Sequence, residues 1–173
     1  MHRDQYKTRR RNGFSLLELM VVIAIMGILG MMAIPAYMYQ IAKRQIVDAM
    51  PLAEIAKKPV ATAWALAQPL PPDNAGAGLP PADLMVSNLV QSVAVQDGAI
   101  QITFGNNANG MLKGKLLTLR PAVIPDTPIV PVAWVCGYAN GPGKMTVMGT
   151  NKTDIPEEYL PVNCRNPEKA GHA

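Results

Sequence analysis

The feature that most constrains this chain is an apolar run near its start, broken by a single carboxylate. No charged residue occurs between Leu19 and Tyr39, and between Phe14 and Ala36 the only one is Glu18. As a helix rising about 1.5 Å per residue, that run of roughly 23 residues is about 34 Å long, enough to cross a bilayer core of about 30 Å. Lys7, Arg9, Arg10 and Arg11 stand just before it. Positive flanks stay cytoplasmic, so the chain beyond residue 40 is expected outside. A secretory signal has an apolar core of only about 7–15 residues and a small-x-small cleavage site. This run is longer, and Ile34-Pro35-Ala36 is a poor site. A plain membrane anchor is the other competitor. Neither accounts for Glu18, because a carboxylate in a membrane helix costs on the order of 2–3 kcal/mol and needs a partner.

Cleavage after Gly13 would supply that partner. It would leave a new α-amine on Phe14, one helical turn from Glu18, and the two groups would form a neutral pair at the head of an apolar helix. Formed between neighbouring subunits, the pair would set the axial register as helices bundle. Glycine at position 13 suits a protease that must bind extended backbone near a membrane surface. Gly27, Gly30 and Pro35 weaken the helix locally, Pro35 by removing one backbone hydrogen bond. The two glycines equally suit close helix packing in a membrane.

Charge is unevenly placed. Of 16 basic and 12 acidic side chains, five and one lie in residues 1–13, which leaves 11 of each in the remainder. The net +4 therefore belongs to the leader and is poor evidence for nucleic-acid binding. The two cysteines, Cys136 and Cys164, form no CxxC pair and have no His at metal-ligand spacing. In an exported chain such a pair reads as one disulfide, the alternative being two unrelated buried thiols.

Residues 13–25, Gly-Phe-Ser-Leu-Leu-Glu-Leu-Met-Val-Val-Ile-Ala-Ile, resemble the N-terminal signature of type IV prepilins and pseudopilins. The match continues through Gly27-Ile28-Leu29 and Ala33-Ile34-Pro35-Ala36-Tyr37. The resemblance implies cutting after Gly13 by a dedicated inner-membrane prepilin peptidase and N-methylation of Phe14. It makes Glu18 the assembly glutamate and residues 27–35 a stretch that partly unwinds in the filament. The Phe at the new terminus resembles the type IVa branch, for which this leader is somewhat long, and Tyr39 falls one place early against the family's tyrosines. The implied partners are the chain itself, the peptidase, the assembly machinery, and the inner membrane before assembly. The implied destination is an extracellular pilus; from the residues themselves, no cofactor and no metal are expected.

The remainder reads as an α+β head: a long kinked N-terminal helix packed on a four-stranded antiparallel sheet, with a C-terminal disulfide-bounded loop. Residues 1–13 are the leader, 14–38 the transmembrane and assembly half of the helix, and 39–68 its amphipathic half. In that half Ile41, Val47, Ile55 and Trp64 stand as apolar positions among charged ones, and Pro51 and Pro59 as kinks. Residues 69–88 form a Pro/Gly-rich variable loop expected to be an exposed contact surface. Strands are expected over 89–95, 99–104, 115–119 and 129–134, the first two joined at Asp97-Gly98, with Pro121 between the last two. The sheet region spans 89–135, the disulfide-bounded region 136–164, and a tail 165–173. Residues 137–163 offer little core by composition. Several phrases here also resemble type IVa heads, among them Trp134-Val135-Cys136-Gly137 and residues 159–165. The resemblance is weakest over 60–85 and 140–156.

An enzyme is disfavoured. The histidines, His2 and His172, sit at the extremities, and no nucleophile elbow, phosphate loop or metal cluster is present. Glu157-Glu158 reads as a solvated turn. The leading function is the one the resemblance implies, a structural pilus subunit in a filament that supports adhesion, twitching motility or DNA uptake. A type II secretion pseudopilin is the first alternative, against which the C-terminal cysteine pair speaks. A DNA-binding minor pilin for competence is the second. It rests on Lys144, Lys152, Arg165 and Lys169, which are interspersed with Asp154, Glu157, Glu158 and Glu168.

Overall fold

A computed structural model describes the backbone of residues 13–170, and all their side chains except those of residues 32–36 and 169–170. The leader before Gly13, the side chain of Pro35 and the end of the tail lie outside the described residues. The chain divides into two compact units, one reaching Tyr37 and one formed by Met38–Ala173.

A single helix, α1, runs Leu16–Ala65, unbroken through Pro35, Pro51 and Pro59. Among the described residues no helix is long and apolar enough to cross a membrane. The apolar run read from the sequence includes residues 32–36, whose side chains are not described.

Within the head, α1 buries Ala42, Ile46, Ala49, Ala53, Ala56 and Val60. Their alternating spacing of four and three keeps them on one face. This corrects the face expected from the large apolar residues: Val47 and Ile55 are 57% and 54% exposed, and Ile41 and Trp64 are only half-buried. Four of the six buried positions are alanines, so helix backbone rather than bulky side chains approaches the sheet.

The helix ends three residues before the expected Gln68. Ala67 adopts φ +53. Its N–H donates to Trp64 O at 2.9 Å, and the Gln68 N–H donates to Ala63 O at 2.9 Å. These two bonds are the Schellman pattern, in which the left-handed residue is usually glycine. Ala67→Gly is therefore expected to stabilise the head by about 0.5–1 kcal/mol, since it removes the left-handed strain on a Cβ. A higher urea midpoint with unchanged slope is the expected readout.

The sheet is an antiparallel meander, β1 (Val90–Gln96), β2 (Ala99–Phe104), β3 (Leu116–Val123) and β4 (Ala133–Cys136), with a short β5 (Thr146–Val147) also on β3. Strands β1 and β2 pair through Gln96↔Ala99. Asp97 and Gly98 turn between them with φ of 48° and 79°, as a type I′ hairpin requires. Val93, Val95, Ile100, Ile102, Phe104, Leu117 and Leu119 join the buried helix face in one core.

Two expected strands shift. Strand β3 continues through Pro121, which pairs with Trp134 of β4. The carbonyl of Pro121 accepts from Met148 N at 2.8 Å, so its missing donor falls on the β5 side, at the end of that two-residue ladder. Edge positions are where a sheet accommodates proline. The fourth strand begins at Ala133 rather than Ile129, because Pro128 and Pro131 cannot donate to a ladder, and Ile129 is 89% exposed.

The disulfide-bounded region contributes more than its composition suggested. Ile155 and Leu160 are fully buried. Residues 152–154 lie along β3 through mixed backbone and side-chain bonds: Asp154 Oδ1 accepts Leu116 N, Thr153 Oγ1 accepts Thr118 N, and Thr118 Oγ1 accepts Lys152 N.

Candidate functional site

The N-terminal site is built by a helix cap. Gly13, Phe14 and Ser15 are non-helical and exposed, and α1 starts at Leu16. The first N–H groups of a helix have no partner inside it. Here Ser15 Oγ accepts the Glu18 N–H at 3.1 Å, and Ser15 O accepts the Leu19 N–H at 3.2 Å. Ser15-x-x-Glu18 is the capping-box spacing, a signal legible in the residues themselves. The cap fixes where the helix begins and so leaves the Gly13–Phe14 peptide in non-helical backbone. Nothing lies within 4 Å of where a Cβ on Gly13 would sit. Phe14 is 80% exposed.

Glu18 occupies the first turn, where a carboxylate favours the positive end of the helix dipole. Its expected amine partner does not exist while Phe14 remains linked to Gly13. Gly27 and Gly30 lie within α1, both exposed, and beyond their chain neighbours and the surrounding helix backbone nothing comes within 4 Å of an added Cβ.

The second set of candidates is gathered at the C-terminal end of the head. Cys136 and Cys164 form a disulfide with Cα atoms 4.5 Å apart, tying β4 to a 3-10 turn at Val162–Cys164. Arg165 donates from Nε to Leu160 O at 2.9 Å and from Nη2 to Glu158 O at 3.3 Å. Lys152 Nζ donates to Gln96 Oε1 at 2.6 Å. Two of the four cations considered for DNA are thus engaged within the fold. Arg120, on β3, donates from Nη2 to Gly137 O at 3.1 Å, and burial lowers its pKa from the ordinary guanidinium value.

Tyr39 stacks on Tyr159 with ring centroids 5.4 Å apart. Desolvation, then the neighbouring Glu158 carboxylate, raise the Tyr159 phenol above its ordinary pKa of 10.0. The fold therefore favours the neutral phenol. That contribution is complete below pH 10 and is lost as pH climbs through the raised value. Tyr159→Phe is expected to flatten the alkaline loss of head stability, read from urea midpoints on either side of about pH 10.

A capped apolar N-terminal helix that continues into the core of a disulfide-closed α+β head defines a pilin-like class of chain. Residues 42–165 match the model of the pilin family of bacterial filament proteins, and residues 8–34 match the prokaryotic N-terminal methylation motif. The chain is 33% identical to a fimbrial protein of Neisseria meningitidis, with 93% of this chain and 98% of that protein covered. It is equally 33% identical to the type IV major pilin protein PilE1 of Neisseria gonorrhoeae, covering 92% and 90%. A fimbrial protein of Eikenella corrodens, EcpC, is also 33% identical, covering 90% and 92%. This chain belongs to the type IV pilin family.

Proposed function

We propose that this protein is a structural, non-catalytic subunit of a type IV pilus. The precursor is inserted in the inner membrane with its basic leader cytoplasmic and its head periplasmic. Prepilin peptidase cuts after Gly13, and Phe14 becomes the N-methylated terminus. Assembly machinery then polymerises the chain through its N-terminal helix into an extracellular filament supporting adhesion, twitching motility or DNA uptake. Glu18 meets the Phe14 amine of a neighbour, and Gly27, Gly30 and Pro35 give the helix its flexibility within the filament. The relatives named as major pilins favour the major subunit for this chain as well.

One observation carries this reading. A methylation motif over residues 8–34 precedes a pilin match over residues 42–165, and Ser15 caps the helix so that the Gly13–Phe14 peptide stands clear of it. A peptidase needs backbone outside a helix, and the non-helical residues 13–15 are consistent with cleavage at that position. Mass spectrometry of filaments sheared from the producing cells tests the proposal. The expected result is abundant protein beginning at N-methylated Phe14. An uncut terminus, or one cut elsewhere, overturns the processing; absence of the chain from sheared filaments overturns the structural role.

A further inference from the structure

Three asparagines in this chain precede a glycine: Asn12, Asn109 and Asn140. Asn12 lies outside the described residues. The pairing matters because no side chain shields a glycine nitrogen, and that nitrogen can attack the amide carbon of the preceding asparagine. The attack closes a cyclic imide, which requires side chain and backbone to be free to turn. The fold treats the two described pairs differently. Asn109 is half-buried and held from both its backbone and its side chain. Its N–H donates to Gln45 Oε1 at 2.8 Å, its Oδ1 accepts Met111 N at 3.0 Å, and its carbonyl accepts Leu112 N at 2.8 Å and Lys113 N at 2.9 Å. Asn140 is exposed, and residues 139–142 lie outside any helix, strand or turn. The Ala139 N–H still donates to Cys136 O, and the Met145 N–H to Pro142 O. Between them, neither Asn140 nor Gly141 makes a backbone hydrogen bond among the described residues, and the Asn140 side-chain amide makes none either. Gly141 is itself fixed by packing: a Cβ there would come within 2.6 Å of Val147 Cγ2 on β5. The fold thus keeps at position 141 the one residue that leaves Asn140 open to attack.

We propose that Asn140 is a site of spontaneous deamidation, at which the amide becomes a carboxylate without an enzyme. Hydroxide takes the proton of the Gly141 N–H, and the nitrogen forms a bond to Asn140 Cγ. The Cγ–Nδ2 bond breaks, and the leaving nitrogen departs as ammonia. One water then opens the imide. Addition at the side-chain carbonyl gives aspartate; addition at the main-chain carbonyl gives isoaspartate, in which the chain runs through the side-chain carbon. Nothing is oxidised or reduced: one water enters and one ammonia leaves. Asn140 lines a polar recess with Arg120, Asn151, Glu157 and Asn166. Glu157 Oε2 already accepts the Asn166 N–H at 3.2 Å, whereas Arg120 Nε is buried without a hydrogen-bond partner. The new carboxylate therefore arises beside a guanidinium, a favourable setting for it. Beyond the leader the chain carries 11 basic and 11 acidic side chains, and each converted copy carries 11 and 12. On the filament reading above, older copies in a filament carry more of that negative charge; the chemistry itself does not depend on assembly.

The test is incubation of the full chain, purified in detergent from the producing cells, in water enriched in heavy oxygen at mildly alkaline pH. Digestion in ordinary water and mass spectrometry then read each asparagine-containing peptide, so that only oxygen taken up during the incubation counts. The expected result is heavy oxygen at residue 140, in two isomers that separate on chromatography. Uptake at Asn109 should be about tenfold or more slower, because hydrogen bonds of the fold must break there before the ring can close. Asn140→Gln, whose longer side chain closes such a ring poorly, should take up none at that position. An amide that stays intact at 140, or conversion there no faster than at Asn109, overturns the site. Aspartate without isoaspartate overturns the imide route. Absence of the chain from sheared filaments overturns the filament reading and leaves this chemistry standing.

Discussion

Asn74→Ala is expected to destabilise the head by about 3 kcal/mol, a fall of roughly 10 °C in Tm, although the residue lies in the Pro/Gly-rich loop expected to be an exposed contact surface. Asn74 is buried. Its Nδ2 donates to Val93 O at 3.0 Å and to Pro80 O at 2.9 Å, while its Oδ1 accepts the Val95 N–H at 2.6 Å. Strand β1 is the outer strand of the meander, and Val93 and Val95 present their free backbone groups along that edge. The side-chain amide bonds to residues i and i+2 as the peptide of a neighbouring strand would, so it closes the edge where unpaired groups invite aggregation. Alanine would leave a buried donor and acceptors unsatisfied, each costing about 1–3 kcal/mol. Asn74→Asp separates this mechanism from simple loss of packing. It preserves shape but turns the donor into an acceptor facing two carbonyl oxygens. It should be as damaging as alanine at neutral pH and should recover in part on acidification, when protonation restores a donor. Thermal unfolding of a head fragment beginning at Met38 measures both; equal pH profiles for the two variants would refute the edge-closing role.

What the sequence conveyed and what it withheld follow from how local each signal is. The hairpin at Asp97-Gly98 was legible because two consecutive positive φ values demand such a dipeptide. The N-terminal helix and its glutamate were legible because a charge within an apolar run has few explanations. Large apolar residues are poor markers of the helix face here, because the structure uses alanines to bring α1 close to the sheet. The end of α1 was missed because Ala67 stands where glycine usually does. Asn74 was hidden because an asparagine among prolines and glycines reads as a turn residue, and its partners are about 20 positions away in β1. The alignment of residues 152–154 along β3 was hidden for the same reason: Thr118, Thr153 and Asp154 act through side chains, and no period in the sequence encodes that. Ala67, Asn74 and residues 152–154 fall within 60–85 and 140–156, where the family resemblance is weakest, while the helix face and the β3–β4 shift fall outside them. Of the candidate site, the sequence offers Gly13, Phe14 and Glu18 as expectations, whereas the cap that leaves the Gly13–Phe14 peptide outside the helix is visible only in the Ser15–Glu18 bond.

Replacing both cysteines by alanine is expected to cost the head about 3–4 kcal/mol, the loop-closure entropy for a bridge of this span. The sequence separation is 28 residues. Alanine is the better replacement than serine because Cys136 and Cys164 are both buried, and a serine hydroxyl would need a partner there. The loss should fall mainly on the unfolded state. In the native state the same segment remains held at other points: Tyr138 N donates to Cys164 O at 2.9 Å, Tyr138 OH donates to Thr153 O at 2.8 Å, and Ile155 and Leu160 stay in the core. Two consequences distinguish this account from one in which the bridge merely fills space. Reductant added to the unaltered head should lower the urea midpoint by the same amount and steepen the transition, because a chain released from its loop exposes more surface on unfolding. Gly137→Ala should destabilise with the bridge intact, since φ there is +54 and an added Cβ would come within 2.7 Å of the Cys164 carbonyl. A midpoint unmoved by reductant would mean that the backbone bonds at Cys164 and the pairing along β3 hold the region alone. In that case Gly137→Ala, which disturbs those bonds, becomes the more damaging of the two changes.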